Sequence, residues 1–126
     1  MPKTVLRPDG LPPSSDPYSQ IVEAGGLVFL AGQVGSAPGV PGRVPGDFEA
    51  EARATFENVG RLLTAVGLGF GDVVRCTVYL VDFADFAAMN TLFREYFPAD
   101  PPVRATVAVV ALARDYRIEI EATAAR

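Results

Sequence analysis

Residues 72–81, DVVRCTVYLV, are a nearly unbroken run of β-branched and apolar side chains. Such a run reads as a strand covered on both faces. Segments of helical periodicity lie on both sides of it, and a strand between two helices leaves few topologies open.

The preceding segment, 48–66, reads FEAEARATFENVGRLLTAV. Phe48, Ala52, Phe56, Val59, Leu63 and Val66 recur at three- and four-residue steps and make one apolar face. Asp47 is the predicted cap, and Glu49 and Glu51 place negative charge in the first turns, where the helix dipole favours it. Gly67 is the predicted stop. After the strand, Asp82 opens a second helix predicted over 83–97, with Asp85 three residues on in a capping arrangement. Phe86, Asn90, Phe93 and Phe97 share one face of it. Asn90 is the odd member, because an amide on an apolar face needs a partner: it ties down a loop or serves a site.

Two short apolar runs around Gly25-Gly26, at 20–32, predict a hairpin. Gly and Pro recur through 33–47, which reads as a loop, and residues 1–17 read as an extended arm. Two last strands are expected at 103–110 and 115–124. The order β-β-α-β-α-β-β implies parallel, right-handed crossovers with both helices on one face. The expected fold is a single α+β domain over 1–126, a two-layer sandwich of a mixed sheet and two helices.

Alternation divides the faces of the last strands. Ile118, Ile120 and Ala122 point one way; Glu119, Glu121 and Thr123 point the other. In PPVRATVAVV (101–110), Val103, Ala105, Val107 and Val109 are expected toward the helices, with Arg104, Thr106, Ala108 and Val110 away from them. The uncovered face is then too apolar to stay wet, which predicts self-association through it. Arg104 needs a partner there. An ion pair with Glu119 or Glu121 is one answer, and a clamp for the carboxylate of a small substrate is the other. Periodicity does not decide between them.

The chain has no His and one Cys, which removes Ser-His-Asp and Cys-His catalysis, histidine-bound zinc and an internal disulfide. Cys76, inside the strand predicted at 72–81, reads as a small buried hydrophobe. A net charge of -4 without a basic stripe disfavours nucleic acid as a partner. No apolar run has the length of a signal core or a membrane span, so a cytoplasmic protein without membrane contact is expected.

The segments PYSQIV (17–22), LAGQVG (30–35), NVGRLLTAVGLGFGDVVRCTVYLVDFADFAAMN (58–90), PPVRATV (101–107) and RIEIEATA (117–124), in this order and spacing, resemble the Rid family of reactive intermediate deaminases, whose older label is endoribonuclease L-PSP. The resemblance runs from about Asp16 to Arg126. It implies a chorismate-mutase-like sandwich, a homotrimer with sites in the clefts between subunits, and no metal or organic cofactor. The implied activity is hydrolysis of 2-imino and enamine acids to 2-keto acids and ammonia. Carried over by position, Arg104 matches the arginine that grips the substrate carboxylate, and Glu119 the glutamate that positions or activates water. Tyr18 matches a pocket tyrosine and Asn90 a cleft asparagine. Gly32 and Thr106 match positions whose backbone meets the ligand. Ala31, Ala105, Thr106 and Ala108 depart from residues common in the family, which leaves the preferred imine open. A module that binds keto or imino acids without turnover, and a ribonuclease as in the older label, are the alternatives.

Overall fold

Asp47 starts the first helix as expected. In the computed structural model, which describes residues 2–126, its Oδ1 accepts a hydrogen bond of 3.0 Å from the Ala50 amide. The helix, α1 (Phe48–Ala65), buries Phe48, Ala52, Phe56, Val59 and Leu63. Gly67 ends it in the left-handed region at φ 79°. The Gly67 amide donates to the Thr64 carbonyl and the Leu68 amide to that of Leu63, which satisfies the last carbonyls.

The strands are β1 (Thr4–Leu6), β2 (Ile21–Ala24), β3 (Leu27–Val34), β4 (Val73–Leu80), β5 (Val103–Ala108) and β6 (Ile118–Ala125). They form one mixed sheet in the order β1-β2-β3-β6-β4-β5. Gly25 and Gly26, both at positive φ, make the β2–β3 turn. β4 and β5 are parallel, joined through α2 (Phe86–Tyr96); the other neighbouring pairs are antiparallel. Both helices pack on one face, and the core lies between them and the sheet. This is the α+β two-layer sandwich the sequence predicts.

Three details differ from the sequence reading. Within the segment expected as an arm, Thr4–Leu6 pairs with Ile21–Glu23 and adds a sixth strand at the sheet edge. Three residues carry too little periodicity to be seen without their partner. The second helix begins as a single 3-10 turn, Phe83–Asp85, where the Asp82 carboxylate accepts from the Ala84 amide, and becomes α-helical at Phe86.

The third difference concerns the faces of β5. Register places Leu6, Ile21, Leu30, Ala122, Cys76 and Arg104 in one row across the sheet, on the helix side. Thr106 follows in the row of Ile120 and Val78, both buried. Arg104 and Thr106 therefore point toward the helices, not away from them. Val103 and Val107 lie on the open face, 69% and 40% exposed, and Phe29 is 43% exposed in the same row as Val103. Alternation separates two faces but does not say which is inner. Here the open face of an edge strand is the more apolar one, so hydrophobicity pointed the wrong way. The Ile118, Ile120 and Ala122 face of β6 is buried as expected, and Cys76 is a core residue whose thiol burial pushes up to about 12.

A buried carboxylate fixes the entry to β6. Glu51 on α1 is fully buried, and its two oxygens accept bonds of 2.6 Å from the Arg117 backbone amide and Nε. Arg117 also donates to the Gly46 carbonyl at 3.3 Å. Gly35 crosses this helix so closely that a Cβ there would lie 2.4 Å from the Glu51 carbonyl oxygen. One ion pair thus ties the 33–47 loop, α1 and the start of β6 together.

Candidate active site

α2 and the end of its crossover build the surroundings of Arg104. The guanidinium carbon sits 4.7 Å from the centroid of Phe93 and 5.6 Å from that of Phe86, and Nη1 lies 3.9 Å from the Met89 sulfur. Phe93 is itself held by Phe97 at 4.6 Å and by the edge of Phe56 at 6.0 Å, so the platform beneath the cation belongs to the core. Among the described residues, no carboxylate pairs with Arg104. The ion pair with Glu119 or Glu121, open on sequence grounds, is not formed. Burial lowers the pKa of Arg104, an effect opposed by Cys76 and aided by Arg94. A part-buried cation on an aromatic platform, without a carboxylate partner of its own, can accept an anion.

Arg104 opens into a cavity of about 280 Å³. Asn90 lines it from the preceding turn of α2, together with Phe93 and Arg94, and Pro101-Pro102 close its side. The structure thus brings Asn90 to the same cavity as Arg104. Thr106 stands two residues along the same strand face, its hydroxyl buried and without a partner. The sequence reading missed Phe93 and Arg94 as part of these surroundings. Their spacing from Asn90, three and four residues on one helix, was the available signal.

Glu119 lies on the opposite face of the sheet, in the row of Val34, Tyr79 and Val107. Gly32 is beside it: a Cβ at that position would fall 2.4 Å from Glu119 Oε2. The β3–β6 register slips between Leu30 and Gln33, and the Gln33 amide braces the slip by donating to the Ala31 and Gly32 carbonyls at 3.1 and 3.2 Å. Such a bulge bends a strand where a side chain must be re-aimed. Glu119 is half-buried and has no hydrogen-bond or ion-pair partner among the described residues. Its pKa is raised by burial first and by the charge of Glu121 second. Glu121, two residues on, instead accepts a 2.7 Å bond from the Tyr79 hydroxyl.

Tyr18 is 57% exposed and stands against the N-terminal arm, beside Leu6, Pro8 and Gln20. The six candidate residues therefore fall into three groups in one chain: Arg104 with Asn90 and Thr106, Glu119 with Gly32, and Tyr18. Among the described residues, no group of three or more His, Cys, Asp or Glu side chains could hold a metal ion, and no helix is long and apolar enough to cross a membrane.

Comparison with known proteins agrees with this architecture. The sequence model of the endoribonuclease L-PSP family matches residues 10–126. Protein DfrA of Myxococcus xanthus is 43% identical over 126 residues, which cover 98% of this chain and 96% of that protein. The 2-iminobutanoate/2-iminopropanoate deaminase of Mus musculus is 38% identical over 122 residues, covering 97% and 90%. Among solved structures, Escherichia coli TdcF with bound serine superposes with a TM-score of 0.87 at 36% identity, covering 98% of each chain. With its sheet, its helices and nearly its whole length in common with these proteins, the chain belongs to the endoribonuclease L-PSP family, the Rid family that its segments resemble.

Proposed function

We propose that the protein hydrolyses 2-imino acids and their enamine tautomers, and that the unpaired Arg104 guanidinium on its aromatic platform is the anchor for their carboxylate. Water adds to the C=N carbon, the tetrahedral adduct loses ammonia, and the C=O of a 2-keto acid remains. A protonated imine is already electrophilic, so the protein needs only to hold the acid, orient one water and move its proton. Arg104 supplies position, which removes the entropy of encounter. Asn90 donates or accepts at the ligand beside it. Glu119 takes the proton of the attacking water, a role typically worth about 10²–10⁴-fold. The backbone at Gly32 and Thr106 and the ring of Tyr18 complete the pocket.

Arg104 and Glu119 stand on opposite faces of one sheet. A single small substrate then meets both only where two copies abut, and a homotrimer with clefts between subunits supplies that contact. The exposed Phe29, Val103 and Val107 support burial of the open face against another copy. The relatives named as 2-iminobutanoate/2-iminopropanoate deaminases and the serine-bound TdcF support a small amino-acid-derived ligand.

The test is release of keto acid from an imine made in situ by an amino-acid oxidase, with semicarbazide as the competing trap. The wild type accelerates release. Arg104→Ala lowers kcat/KM by about 10–100-fold, the size of a lost charge-assisted contact of about 1.5–3 kcal/mol, and keeps its melting profile. Unchanged turnover in that variant overturns the role of Arg104. Saturable keto-acid binding without turnover of any imine assigns the cavity to a sensing module instead.

A further inference from the structure

The cavity in front of Arg104 holds a second cation. Arg94 lines it from α2, one turn beyond Asn90. Its neighbour in sequence, Glu95, is turned away and engaged by Arg53 of α1 at 3.0 Å. Among the described residues, no carboxylate pairs with Arg94. The charge of Arg94 also reaches Arg104, since it is one of the causes that lower the Arg104 pKa. No acidic side chain lines the cavity to offset the two guanidinium groups. Two like charges facing one cavity repel, and the arrangement becomes favourable when a ligand brings two negative charges. The remaining walls, Phe93, Phe97 and the two prolines, carry no charged side chain.

We infer that this cavity selects 2-imino acids that carry a second carboxylate on a short side chain, with Arg104 holding the α-carboxylate and Arg94 the distal one. That the bound acid is an imine rests on the deaminase reading; that it is a diacid rests on the paired arginines. Arg94 acts as a specificity-determining residue, and Asn90, which lines the same cavity, meets the polar atoms near the α-carbon of the ligand.

The products of such reactions are stable and serve as probes. Isothermal titration of the full-length protein at fixed ionic strength compares 2-oxoglutarate with 2-oxobutanoate. The wild type is expected to bind the diacid about tenfold more tightly or better, as a charge-assisted contact allows. Arg94→Ala brings the ratio of the two affinities toward one, and Arg94→Glu reverses it. A wild-type ratio near one overturns the inference, as does a ratio that Arg94→Ala leaves unchanged. Turnover is measured in parallel on the imines of glutamate and 2-aminobutanoate. Turnover of the second with no diacid preference overturns this inference alone. A diacid preference without turnover of either imine overturns the deaminase reading and upholds the diacid site.

Discussion

At the scale of single residues, Glu119 is the group whose environment predicts a measurable pH dependence. Burial and Glu121 raise its pKa, so it holds its proton to higher pH than an ordinary glutamate. In the proposed role of base it must be ionised, so kcat/KM should fall toward acid with a midpoint above the usual glutamate range. Tyr79 and Glu121 on the open face, with Arg75 further along β4, are the titratable and charged neighbours. Glu121→Gln removes the second cause and should move the midpoint down. Burial, the first cause, should keep it above normal, and Glu119→Gln should abolish the limb. A midpoint that Glu121→Gln does not move would show that the two carboxylates are not coupled. Stability runs with the opposite sign to activity: a raised folded pKa contributes stability at low pH, and this is lost as pH rises through the raised value.

At the scale of elements, the β3 bulge and the start of β6 aim Glu119. Gly32→Ala would put a methyl group where the carboxylate now lies. The side chain must rotate away, so kcat should fall by about tenfold or more, a share of the general-base contribution, while the keto-acid affinity of the Arg104 cavity changes little. Titration and steady-state kinetics on one preparation separate the two. The Glu51–Arg117 pair holds the same strand from the helix side. Glu51→Ala leaves a guanidinium and a backbone amide without their acceptor and should cost about 3 kcal/mol or more in urea unfolding. A loss below about 1 kcal/mol would mean that water replaces the carboxylate, as at exposed pairs.

At the scale of the whole molecule, the proposed assembly would make activity depend on the open sheet face. Val107 stands there in the row of Glu119, remote from the helix-side face of Arg104. Val107→Asp should dissociate the assembly in sedimentation velocity and abolish imine turnover, although no residue of the Arg104 cavity is altered. A dissociated variant with full turnover would place the complete site within one chain.

Much of this protein is written in local pattern. The caps at Asp47 and Asp82, the stop at Gly67, the hairpin at Gly25-Gly26 and the buried stripe of β6 follow from periods and backbone preferences within a few residues, and a chain carries those wherever it goes. The identity of the candidate residues was also legible, through segments whose order and spacing resemble a family. Their grouping was not. Which face of β5 turns inward depends on the register with β4, and that register is set by the α2 crossover and by the pairing of β4 with β6. Only there does Arg104 come to rest on Phe93 rather than beside Glu119, and only there does Arg94 face the same cavity. β1 likewise exists only because β2 offers an edge. Alternation along a strand is a property of its sequence; the choice of inner face is a property of everything packed around it.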